Sequence, residues 1–245
     1  MASSVYNALE NLARLLQNQA GFWSLLIRRI AKMRGAENLY KRVSEGLNKE
    51  EIQDHLAVVL YALVFAANDF EVEIEPLGGI GPDLGVSKAD QRAFVEVTRF
   101  RRMYPGPTLL GEDEQSTILQ YGDLARDVQK CWSKIVNKFD QVDRGDAIIA
   151  IWNDDEDLEE IELDIAAEIF RKKGSQGIVE IPHGLAFVIY GSKWIGPGTK
   201  RMDEQFYCFP LASPLKQSHT QWISEIETTL REDVIRKRQV PSLPI

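Results

Sequence analysis

The sequence predicts an α/β fold with a mixed central sheet flanked by helices, and three observations carry that prediction. Phe70-Glu71-Val72-Glu73-Ile74-Glu75 alternates strictly between apolar and acidic side chains, the period-two pattern of a strand with one wet face. Asp146-Ala147-Ile148-Ile149-Ala150-Ile151-Trp152 is a continuous apolar run behind a turn signal, as expected of a strand covered on both faces. Stretches with apolar residues at three-to-four spacing lie between such segments, and helices that cross between strands of one sheet cover both its sides.

Taken in order, residues 1–45 read as an N-terminal helical extension, with Leu9, Leu12, Leu15 and Leu16 and then Trp23, Leu26, Ile27 and Ile30 on one face. Gly35 and Asn38 are expected to break it. Residues 46–245 read as the α/β domain. Asn48-Lys49-Glu50-Glu51 has the polar cap and early acids of a helix start, and the run from Leu56 to Ala67 makes that helix nearly buried. After the strand at 70–75, a turn of three glycines and two prolines spans Pro76 to Pro82. A short strand, 83–86, and a polar turn, 87–91, lead to the most strand-like segment of the chain, Ala93 to Phe100. A long helix is expected from about Glu114 to Val142, then the strand at 146–152, a helix from Leu158 to Lys172, and strands at 185–190 and 205–209. A last helix runs from about Leu215 to Arg236.

A chain of 245 residues, 44% hydrophobic and 27% charged, can bury a full core. Cys131 and Cys208 lack the short spacing of a zinc or redox motif. With no apolar run near the ~20 residues that span a bilayer and no signal-peptide pattern, a cytoplasmic location off the membrane is expected. The net charge of −8 opposes a chain-wide grip on nucleic acid, yet Arg99, Arg101 and Arg102 concentrate positive charge directly behind one strand. No P-loop, complete dinucleotide fingerprint or clustered histidines occur.

The chemically pointed feature is a pair of carboxylates. Alternation sends Phe94, Glu96 and Thr98 to one face of their strand and Val95 and Val97 to the other. A carboxylate between two valines in a buried strand is costly unless compensated, either by an arginine such as Arg92 or Arg99 or by a cation. Asp83 opens the preceding strand, and a hairpin through residues 87–91 brings it to the same end as Glu96. Two converging carboxylates repel, and a hard divalent cation such as Mg²⁺ or Mn²⁺ resolves the repulsion.

Pro82-Asp83, then after a hairpin Glu96-Val97-Thr98, set in helix–strand–strand–strand–helix–strand order, resembles the PD-(D/E)xK nuclease superfamily, the restriction-endonuclease-like fold, over residues 48–155. The resemblance implies an αβββαβ core in which Asp83 and Glu96 hold Mg²⁺ or Mn²⁺ beside the scissile phosphate. A lysine is expected two positions after the glutamate; Thr98 stands there, and a hydroxyl brings no positive charge. The long helix offers a migrated cation in Lys134 and Lys138, with Gln141 completing an i, i+4, i+7 stripe. That pattern is similar to a bacterial branch with Glu-x-Thr in place of Glu-x-Lys. Glu51 is the candidate for the superfamily's helical acid and third metal ligand, with His55 one turn on.

The resemblance implies a divalent-metal-dependent nuclease that hydrolyses phosphodiester bonds, with DNA the expected partner and Arg99, Arg101 and Arg102 tracking its backbone. The alternative, favoured by Thr98 and the acidic balance, is a catalytically inactive nuclease-fold module that binds nucleic acid or a protein. The N-terminal helices are candidates for a homo-oligomer or protein-partner surface.

Overall fold

The computed structural model describes residues 30–31, 33–44, 49–77, 81–100, 146–153, 168, 172, 176–177, 184–195, 202–211 and 216–228. After His55 the second predicted helix has no polar side chain other than the Tyr61 hydroxyl, and a helix apolar on all sides must be enclosed. Accordingly every residue from Leu56 to Phe65 of α2 (Lys49–Ala67) is buried. It is preceded by α1 (Ala36–Ser44), whose Leu39 and Tyr40 join the same core, as does Ile30. The described part of the N-terminal segment therefore packs on the α/β domain. Gly35 makes the expected turn, but Asn38 lies inside α1 and breaks nothing. Gly35 has φ +81°, and a Cβ there would stand 1.9 Å from the Ile74 carbonyl oxygen, so only glycine fits.

Six strands form one sheet in the order in which they occur: β1 (Glu71–Ile74), β2 (Leu84–Lys88), β3 (Gln91–Phe100), β4 (Ala147–Asn153), β5 (Leu185–Ile195) and β6 (Met202–Pro210). β1, β2 and β3 are antiparallel neighbours, β3, β4 and β5 are parallel, and β6 returns antiparallel to β5. This is the mixed sheet expected of the sequence. Parallel neighbours cannot be joined by a hairpin, so the chain crosses over between β3 and β4 and between β4 and β5. The predicted helices at 114–142 and 158–172 fall in those crossovers and lie outside the described residues, apart from isolated positions.

The β2–β3 connection is tighter than the predicted 87–91 turn. Strand pairing continues to Lys88↔Gln91, leaving Ala89 and Asp90 as the loop, with Ala89 at φ 55°. The hairpin tip is tied down by the Lys88 ammonium, which donates to the Asn68 carbonyl (2.9 Å) and the Glu225 carboxylate (2.6 Å) over the Phe70 ring. At the outer edge, the Ile74 N–H donates to the Arg34 carbonyl (2.8 Å), so residues before α1 cover part of β1.

One face of the sheet carries Val95, Val97 and Arg99 of β3, Ile148, Ala150 and Trp152 of β4, and Phe187, Ile189 and Gly191 of β5. α2 lies on this face: the buried Tyr61 hydroxyl donates to the Ile151 carbonyl and stands beside Gly191, where a Cβ would meet Tyr61, Trp152 and Phe206 at 2.9 Å each. Beside α2 packs α3 (Gln217–Glu227), through the edge-on contacts of Phe70 with Phe65 and with Trp222. Trp152 and Trp222 are thus core residues. The other face carries Phe94, Glu96 and Thr98, level with Ile149 and Ile151 of β4. Among the described residues no helix is long and apolar enough to cross a membrane.

Candidate functional site

Asp83 and Glu96 are brought to the same level of the sheet by the β2–β3 register. That ladder ends at Leu84↔Val95, so Asp83 stands one residue before its end on one strand and Glu96 one residue beyond it on the other. Proline at 82 leaves Asp83 at the mouth of the strand, and two contacts fix it there. Its carbonyl accepts the Glu75 N–H at 2.7 Å, tying it to the end of β1. Its Oδ2 accepts the Val97 N–H at 2.8 Å, so the side chain takes over where main-chain pairing with β3 ends.

Glu96 is 3% exposed, between the buried Val95 and Val97, and Thr98 is buried on its side. Its β4 neighbour in register is Ile149, and that of Thr98 is Ile151, both fully enclosed. The carboxylate is thus buried beside apolar β4 neighbours, and breaking a buried charge pair costs about 3–5 kcal/mol. Hard oxygen donors from two adjacent strands suit a Mg²⁺-like cation, which commonly takes one or two protein carboxylates and fills its remaining positions with water and substrate phosphate. Among the described residues no group of three His, Cys, Asp or Glu is arranged to hold a metal.

The arginines that compete for Glu96 are engaged elsewhere. Arg92 donates to Glu73 at 3.0 Å and lies over the Phe94 ring. Arg99 points to the opposite face, where its guanidinium donates to Gln53 and stands 3.4 Å from Asp54 of α2. Arg99 is 6% exposed, which removes it from the set expected to track a phosphate backbone: in a strand of strict alternation, an odd-numbered arginine is turned toward the covering helix. Arg101 and Arg102 lie outside the described residues, as do Lys134, Lys138 and Gln141. Glu51 is exposed in the first turn of α2, the helix on the face opposite Glu96.

Sequence reasoning missed that the Val97 amide holds Asp83, a role for the main chain that no side-chain motif announces. It also missed Glu75, which ends β1 at the level of Asp83 with φ 50°. The strict alternation of 70–75 marked Glu75 as one more wet-face residue, and only the turn distinguishes it. No protein-family model, no curated protein and no solved structure matches the chain.

Proposed function

We propose that the chain is a divalent-metal-dependent nuclease with a restriction-endonuclease-like core, and that Asp83 and Glu96 hold Mg²⁺ or Mn²⁺ against a DNA phosphate. The observation that carries this reading is the end of the β2–β3 ladder at Leu84↔Val95, next to which Asp83 and Glu96 follow on consecutive strands, with the Asp83 carboxylate held by the Val97 N–H. The mixed order of three antiparallel strands followed by a parallel one supports the same reading. A bound cation supplies charge neutralisation at the phosphate and a water of lowered pKa. The protein's own part is positional. The Val97 N–H orients the Asp83 carboxylate, the apolar neighbours of Glu96 keep bulk water away from its charge, and Thr98 offers a neutral hydroxyl one step along the same face. The missing positive charge is assigned to Lys134 or Lys138.

The test is incubation of the purified chain with plasmid and single-stranded DNA in Mg²⁺ or Mn²⁺ and then in EDTA. Cleavage that needs the metal and disappears in Asp83→Ala and Glu96→Ala, both still folded by circular dichroism, is the expected result. Absence of cleavage by the wild-type chain under every metal would falsify the enzymatic reading. Retention of DNA in a shift assay would then favour the binding module, a reading supported by Thr98 at the lysine position.

A further inference from the structure

His219 lies in the first turns of α3, at the N-terminal ends of the parallel strands, and is 2% exposed. Its ring packs edge-on against Phe187 of β5 (centroids 6.0 Å) and against Trp222 of its own helix (5.3 Å). Neither ring nitrogen makes a hydrogen bond. The nearest carboxylate is that of Asp146, which leads into β4, with Oδ2 3.6 Å from Nε2. That carboxylate is already taken, since both its oxygens accept from the Lys216 ammonium, at 2.7 and 2.5 Å. An uncharged imidazole is tolerated in such a seat; an imidazolium would carry two donors, and the acceptor facing them is the Asp146 carboxylate, 3.6 Å from Nε2 and shared with Lys216.

We propose that α3 is an acid-released latch, with protonation of the His219 imidazole loosening the helix from the end of the sheet. The groups that face the ring settle the sign. Among the described residues the charged ones are Asp146, from the β4 lead, and Lys216, at the start of α3; β5 and the rest of α3 offer it aromatic rings. Farther along α3, Glu225 is paired with Lys88, and Glu227 accepts the Cys208 N–H at 2.9 Å. Burial outweighs the attraction of Asp146, with Lys216 opposing that attraction, so the pKa of His219 lies below its ordinary 6.5. A base whose pKa is depressed when docked binds its proton preferentially in the released form. Docking is therefore complete above pH 6.5 and weakens as pH falls through that value toward the docked pKa. Each unit of difference between the two multiplies the released fraction about tenfold. Release would uncover Trp222 and Ile226 and part with Lys88 at the hairpin tip.

Amide hydrogen exchange of residues 217–227 in the full chain, measured from pH 7.5 to 5.5 and corrected for the intrinsic chemical rate, reads the latch directly. The wild type is expected to exchange faster as pH falls, and His219→Phe is expected to exchange at a constant corrected rate. Lys216→Met leaves Asp146 to the imidazolium and is expected to reduce the acceleration. Exchange independent of pH in the wild type, an undiminished acceleration in either variant, or a wild-type His219 proton resonance that titrates at or above 6.5 overturns the proposal. That resonance keeps the test decisive even where His219→Phe does not fold.

Discussion

Two carboxylates that lead into strands of the same sheet make opposite use of their surroundings. Asp146, ahead of β4, is clasped at both oxygens by a lysine ammonium, whereas Asp83, ahead of β2, is held to β3 by a main-chain N–H. A cation cancels the charge it binds. An amide orients a carboxylate without cancelling its charge, which is the condition a metal ligand has to meet. Under the proposed function, the N-terminal ends of the parallel strands serve structure and the level of Asp83 and Glu96 serves chemistry.

The largest effect expected from breaking this comparison is on cleavage. Asp83→Asn and Glu96→Gln keep shape and remove charge, and each should lower metal-dependent cleavage by about 10²-fold or more, the scale set by losing one group that stabilises the reacting phosphate. The same Glu96→Gln substitution should leave the thermal midpoint unchanged or raise it, because a buried charge disappears and the amide replaces it isosterically. A glutamate serving as half of a buried ion pair behaves the other way, since breaking such a pair costs about 3–5 kcal/mol. Activity and melting measured on one variant therefore separate the two roles. Asp146→Asn is the control: cleavage should persist.

The next effect is on stability alone. Trp222→Ala removes a side chain that is 3% exposed and stacks edge-on with Phe70, so urea unfolding should show a loss of about 3–5 kcal/mol. Arg99→Met should cost less, about 1.5–3 kcal/mol, the worth of a hydrogen bond to a charged group, because its partner Asp54 remains half exposed and solvated. Neither variant touches the acid pair, and metal uptake by calorimetry should match the wild type.

Much of this architecture was legible from periodicity. The alternation of 70–75 and the apolar run of 146–152 marked β1 and β4 because burial on one or two faces leaves distinct patterns in the side chains. The antiparallel pairing of β2 with β3 was legible as soon as a hairpin was assumed, for antiparallel register follows from the turn. Its length was not: Ala89 at positive φ carries no glycine or asparagine signal, so the loop was read as five residues rather than two. Arg99 was misjudged because a run of arginines reads as a surface patch in sequence, while the alternation of its own strand turns it inward to Gln53. His219 gave no signal at all. Its seat is built from Asp146, Phe187 and Trp222, which only the fold brings together.

The smallest predicted effect is also the one that closes the structural reading of Glu96. Glu73 is shared by Arg34, 3.1 Å away, and Arg92, 3.0 Å away, and the arginine side chains are 83% and 53% exposed. Water screens such pairs, so Arg92→Ala should cost less than about 1 kcal/mol in urea unfolding. Were Arg92 the compensating charge for Glu96, its removal would strand a buried carboxylate, and Glu96→Gln would restore the loss. A double-mutant cycle over Arg92→Ala and Glu96→Gln should instead return a coupling within about 0.5 kcal/mol of zero, the additivity of sites that do not share a partner. A coupling several times larger would return Glu96 to the framework of the sheet and leave Asp83 without a second acid for a cation.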